Sequence, residues 1–215
     1  MVNEIKRFRD LGKIEKAWCV EVAARLHEEL IPEGFLVSLG PTFLKLFYED
    51  VGLSPHSDVL YSLSSENDHS ERVLGFISIS TDTKKFNRWL LFKRAYRYMR
   101  PSIFLALINP RALNLVRLFF RRSDVAVSQE ATDHFDSEVI NFCVHSKAQG
   151  KGVAGKLYEA SLCLLTDSGK KKLRIETGEN QQAAINFYVK HNAVFERTLV
   201  SHSGKKSRLF SMELT

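Results

Sequence analysis

A short apolar strand, Glu138 to Val144, leads through His145-Ser146-Lys147-Ala148 into Gln149-Gly150-Lys151-Gly152-Val153-Ala154-Gly155, where a helix opens. No other feature of the chain narrows its fold so far. Glycines let successive backbone N–H groups turn toward one point, and a helix start adds partial positive charge, so the junction favours an anion such as a pyrophosphate. Lys151 and Lys156 add cations beside it. The plainer use of the same glycines is a tight connection with no ligand. Spacing separates two nucleotide patterns. A P-loop needs G-x-x-x-x-G-K-S/T, and Gly150-Lys151-Gly152 has neither the length nor the hydroxyl. Gly150, Gly152 and Gly155 satisfy a short G-x-G-x-x-G, but the chain then runs into an antiparallel hairpin instead of repeating strand–helix–strand.

Periodicity places the other elements. Ile14, Ala17/Trp18, Val22, Leu26 and Leu30 predict a helix over 14–30, ended by Pro32 and Gly34. Pro41 opens a second helix with Phe43, Leu44 and Phe47 as its apolar stripe. Asp58–Ser64 and Arg72–Thr81 read as strands around a turn-forming 65–70 segment. Gly152–Ser168 is a helix with Gly169 as its C-terminal cap. Leu173, Ile175 and Thr177 alternate with Arg174 and Glu176 as a half-buried strand would. A helix over 181–191 stops at Asn192, and 194–202 with 207–214 form a hairpin around Ser203-Gly204.

Charge is unevenly placed. Residues 83–122 carry eleven basic side chains and no acid, whereas the whole chain is only +6. The remaining twenty bases face 25 acids, so an acidic body carries a strongly cationic segment. Phe86, Trp89 and Leu90 with Lys93 and Arg97 give that segment an apolar and a cationic face, and Pro101 and Pro110 divide it into about three helical pieces. Cys19, Cys143 and Cys163 follow no metal-ligand spacing and are expected in the interior as free thiols in a reducing cytoplasm. The charged N-terminus shows no apolar signal region, and no run nears the roughly 18 apolar residues of a spanning helix.

The glycine turn resembles that of the GNAT N-acetyltransferase superfamily, whose hallmark is a strand, Q/R-x-x-G-x-G/A and a helix. Gln149-Gly150-Lys151-Gly152-Val153-Ala154 fits each fixed position, and Val144 through Ala148 is similar to the preceding V-x-P-x-x with Ser146 in the proline's place. Downstream, Asn180, Ala184, Phe187 and Tyr188 resemble the family's N…A…FY block, with Asn192-Ala193 replacing Gly-Phe. The family's asparagine stands seven residues before the tyrosine; here Gln181 holds that place and Asn180 is one residue further back. The likeness spans about residues 136–215 in motifs and 1–82 in element order. It implies an α/β GNAT fold, a mixed, mostly antiparallel sheet flanked by helices. It also implies one domain over 1–215, with a basic helical insertion at 83–122 between the third and fourth strands.

It further implies acyl transfer from acetyl-CoA, or a similar short acyl-CoA, to an amine, with no metal. The cofactor would be held by Phe142, Cys143 and Val144, the turn Gln149, Gly150, Lys151, Gly152, Val153, Ala154 and Gly155, and then Asn180 and Ala184. The family's general acid falls on Tyr188, and a phenol is a reasonable proton donor to a thiolate. Glu138, six residues before Val144, lies where histone-type members carry their base. His134, Asp136 and His145 are the other candidates. Cys143 would suit an acyl-enzyme route, but no His–Asp pair can be assigned to it.

The insertion should border the acceptor. Arg94, Arg97 and His134 are candidate acceptor contacts, suited to a nucleotide-linked amino sugar as in surface-polysaccharide pathways. A protein, polyamine or antibiotic amine is the alternative acceptor. A non-catalytic module docking on a membrane or nucleic acid through 83–122 is a different class. Interleaved aromatics, leucines and arginines suit an anionic membrane surface, so a cytoplasmic enzyme peripheral to the inner membrane face is expected. The apolar content argues against nucleic acid. A homodimer stays open.

Overall fold

The computed structural model describes residues 3–34, 36–65, 72–94, 96–98, 135–200 and 206–214. Seven strands form one sheet in the order β1 (Glu4–Arg7), β2 (Ser57–Leu63), β3 (Val73–Ser80), β4 (Ser137–Val144), β5 (Lys172–Gly178), β7 (Lys206–Glu213), β6 (Val194–Val200). Neighbours are antiparallel except β4 and β5, which run parallel. The element order and strand directions are those expected of the mixed α/β fold. β1 is an addition: Glu-Ile-Lys-Arg is too short and too charged to signal a strand, and it forms by pairing with β2 at the sheet edge.

Two helices lie on one face. α1 (Lys13–Leu30) starts where the Glu15 carboxylate accepts the Gly12 N–H at 3.0 Å, and it buries Cys19, Val22, Ala23 and Leu26. Ile14, expected in that stripe, sits in the first turn and stays 77% exposed, outside the contact. α2 (Pro41–Leu53) puts proline at its first position and buries Phe43, Leu44, Phe47, Tyr48 and Val51. These side chains meet Val59, Tyr61 and Phe76 of the sheet in one core.

The other face carries α4 (Val153–Asp167) and α5 (Gln182–Lys190); α3 (Thr83–Trp89), after β3, buries Phe86 in the α1/α2 core. Leu157, Tyr158 and Leu165 of α4 and Ile185 and Tyr188 of α5 pack on Ile77, Val139, Leu173, Ile175 and Phe210. Gly169 (φ +71°) and Asn192 (φ +65°) end the two helices as caps. Cys19 and Cys143 are buried thiols, but Cys163 is exposed, which corrects the expectation of three interior cysteines. Position 163 falls on the opposite side of α4 from Leu157, Ser161 and Leu165, so periodicity places it in water. The turns at 66–70 and 203–204 and the insertion beyond residue 98 lie outside the described residues.

Candidate active site

Parallel pairing joins β4 to β5 at Ser137↔Leu173, Glu138↔Arg174 and Val139↔Ile175, and then stops. The cause is local. Opposite β3, Ser78 meets Asn141 and Ile79 meets Val139, so Ile140 is an extra residue in a bulge that bends β4 away. Beyond it, Phe142 and Val144 face the α4/α5 core and Cys143 the α1/α2 core. The strands therefore open into a wedge whose β4 edge, from Ile140 to Val144, has no β5 partner.

The glycine turn stands at the open end of that wedge. Ser146–Ala148 makes a single tight turn, Ala148 is buried, and Gln149 Nε2 donates to the Val144 carbonyl at 3.2 Å, fixing the turn to its strand. Gly150 (φ +73°) and Gly152 (φ +78°) then adopt left-handed backbone, which costs other residues about 1–2 kcal/mol. A Cβ at Gly150, Gly152 or Gly155 would meet nothing within 4 Å, so the concave side is open. No side chain caps α4 and no acid lies in its first turn. Its leading amides, at Val153, Ala154 and Gly155, are thus left to an outside acceptor. Glycine backbone, an uncapped helix start and open space fit the pyrophosphate of coenzyme A.

Tyr188 on α5 lies under the wedge, 4% exposed, packed against Tyr158 and Phe210, while Phe187 packs against Phe142 at 5.5 Å. Burial, reinforced by Tyr158 and Cys143, holds the Tyr188 phenol well above its ordinary value, so it keeps its proton. Ala184, one turn earlier, is partly buried against the same core. Burial likewise pushes the Cys143 thiol up to about 12, which opposes the thiolate an acyl-enzyme route would need.

Glu138 points to the opposite face, because its neighbour Val139 is in the α4/α5 core. There Arg174 Nη1 donates to Glu138 Oε1 at 2.8 Å and Thr83 Oγ1 to Oε2 at 3.0 Å. Arg174 Nη2 continues to Glu176 Oε2 at 3.0 Å, and Ser207 Oγ donates to Glu176 Oε1 at 2.6 Å. Beside this chain, the buried Asn141 Nδ2 has no hydrogen-bond partner. Nothing in the sequence points to Asn141, Thr83 or Ser207 as site residues. The alternation of Arg174 and Glu176 around Leu173 and Ile175 marked their shared face, but not what met them there.

The remaining candidates are dispersed. Asp136 accepts the Lys171 and Lys172 amides at 3.0 and 3.1 Å, and His145 Nδ1 accepts the Lys147 amide at 3.1 Å; both hold turns. Asn180 is exposed in the loop after β5, while Gln181 Oε1 accepts a hydrogen bond from Thr177 Oγ1 at 2.8 Å. Arg97 pairs with Asp50 through Nη1 and with Glu49 through Nη2 at 2.6 Å, and Arg94 Nε lies 3.6 Å from Asp50. Both arginines thus spend charge on α2 carboxylates. His134 lies outside the described residues. Among the described residues, no group of three or more His, Cys, Asp or Glu is placed to hold a metal ion.

The splayed β4–β5 pair, with a glycine turn and an uncapped helix start at its open end, is the arrangement expected of an acyl-CoA-dependent transferase. Residues 23–193 match the acetyltransferase (GNAT) family, and the chain belongs to it.

Solved structures share the fold at low sequence identity. Ard1 from Thermoplasma volcanium superposes with a TM-score of 0.59 at 12% identity, covering 100% of this chain and 99% of that one. Arabidopsis thaliana NAA60 with a bisubstrate analogue gives 0.58 at 12%, covering 98% of each. A GNAT-family acetyltransferase from Streptococcus pneumoniae gives 0.56 at 12%, covering 100% of each. No curated protein matches the sequence.

Proposed function

We propose that the protein transfers an acetyl group from acetyl-CoA directly to the primary amine of a nucleotide-linked amino sugar, with Tyr188 as general acid and Glu138 as general base. Acetyl-CoA supplies the acyl thioester. The cradle from Gln149 to Gly155 binds its pyrophosphate, and the unpaired β4 edge at Phe142, Cys143 and Val144 holds the pantetheine arm and polarises the carbonyl. Glu138, on the acceptor face, draws a proton from the incoming ammonium group so that a neutral nitrogen attacks. Attack forms the N–C bond. As the tetrahedral intermediate collapses and the C–S bond breaks, Tyr188 Oη gives a proton to the departing sulfur and is reprotonated, through solvent, by the proton the acylated nitrogen releases. The observation that carries the enzymatic reading is the splayed β4–β5 pair with the glycine cradle at its open end and Tyr188 packed beneath it.

The carboxylates Glu138 and Glu176 suit an ammonium, and Asn141 Nδ2 suits a hydroxyl or carbonyl oxygen near the amine. Both features belong to an amino sugar, and the cationic 83–122 segment suits its diphosphate. A protein N-terminus is the second reading. The engagement of Arg94 and Arg97 by Asp50 and Glu49 favours it, because these two forks are then less open to phosphate. Thiol release, measured with a panel of nucleotide-linked amino sugars and of short peptides, tests the proposal. Selective turnover of the sugars supports it; turnover of peptides alone replaces the acceptor, and release with no amine overturns the enzyme.

A further inference from the structure

The segment after β3 has two unlike faces. Phe86, Leu90 and Tyr98 are buried, Tyr98 Oη donates to Asp50 at 2.8 Å, and Arg94 and Arg97 reach the same buried carboxylate. The inner face is thereby fixed to α2. Outward, the α3 turn and the π-helical stretch Leu90–Arg94 that follows it expose Lys84, Lys85, Arg88, Leu91, Phe92 and Lys93, and Tyr96 beyond is exposed as well. Phe92 is 74% exposed, Tyr96 65% and Leu91 38%. Residues 83–98 contain no acid, and among the described residues Lys84, Arg88 and Lys93 pair with none.

Isolated exposed apolar side chains are ordinary; three within six residues, ringed by unpaired cations, form a patch with a use. Large apolar side chains interleaved with Lys and Arg are the composition that enters a headgroup layer: the rings seat at the acyl boundary while the cations meet anionic lipid. A polyanion such as nucleic acid would use the cations and leave Leu91, Phe92 and Tyr96 without a role. We propose that this face docks the enzyme on an anionic lipid bilayer. The docking does not depend on the acceptor or on the acyl transfer. It sets the acceptor side near the membrane, because Thr83, at the root of the segment, donates to Glu138.

Flotation of the full chain with phosphatidylcholine vesicles, with and without phosphatidylglycerol, tests it. The protein should float with the anionic vesicles, more weakly as salt rises, and not with phosphatidylcholine alone. Reversing Lys84, Arg88 and Lys93 to Glu should lower the partition coefficient by on the order of 100-fold. Phe92→Ser with Tyr96→Ser should lower it by at least about tenfold, with an unchanged melting temperature and unchanged thiol release. Failure to float with anionic vesicles at low salt overturns the proposal, as does equal flotation of the wild type and the Ser pair. Loss with the Glu variant alone, accompanied by duplex DNA displacing the vesicles, would assign the face to nucleic acid and equally overturn it.

Discussion

Glu138 and Arg174 are register partners where β4 and β5 still pair, and their side chains meet at 2.8 Å on the sheet face that carries α1 and α2. The carboxylate that family likeness marks as a base is therefore set by a guanidinium on one oxygen and by Thr83 on the other. Arg174 is shared with Glu176, so the pair belongs to a row crossing β4, β5 and β7.

If Glu138 is the base, Glu138→Gln flattens the acid limb of the kcat/KM profile. Arg174→Gln moves that limb to higher pH, because a carboxylate without its cation keeps its proton longer. Steady-state thiol release across pH reads both. An unmoved limb in either variant removes Glu138 from proton transfer.

Gly152→Ala introduces no clash, since nothing lies within 4 Å of the new methyl, but it strains a backbone at φ +78° by about 1–2 kcal/mol. The cradle should distort, and the KM for acetyl-CoA should rise by about tenfold or more while the acceptor KM holds. Calorimetry with coenzyme A checks the binding directly; unchanged affinity would detach the turn from the pyrophosphate.

Asn141→Leu replaces a carboxamide whose buried Nδ2 has no partner. Stability should hold or rise, because a buried unsatisfied donor is removed. The kcat/KM for the acceptor should fall about tenfold with the acetyl-CoA KM unchanged. Thermal melts and two-substrate kinetics separate these effects, and an unaffected acceptor would show that Asn141 merely fills the bulge.

His27 links stability to pH. Its Nδ1 lies 2.5 Å from Tyr48 Oη, it is 2% exposed, and burial lowers its value to about 4. The unfolded chain takes that proton near about 6.5. The neutral imidazole's contribution is therefore whole above about 6.5 and is lost as pH falls toward 4, by about 3 kcal/mol in all. Melting temperatures of the wild type should fall more steeply across that window than those of His27→Gln. Parallel curves would contradict the assignment.

The features legible in the sequence are those written in neighbouring residues. The bounds of α1, α4, α5, β4 and β7 follow from periodicity and caps to within a residue or so, and the glycine cradle is read from seven consecutive positions. What depends on register is not. Glu138 finds Arg174 only through the short β4–β5 pairing, and Asn141 gains its place from a bulge that no residue announces. The cationic count of 83–122 likewise says nothing of Asp50 and Glu49, which lie on α2 and take up Arg94 and Arg97. β1 exists only because β2 offers it an edge.

Tyr188→Phe tests the central claim most directly, in one experiment with two readouts: calorimetric affinity for acetyl-CoA and single-turnover thiol release with a productive amine. Acid catalysis predicts unchanged affinity and a turnover lower by about 100-fold or more. Equal loss of both, or turnover that survives the substitution, would contradict it.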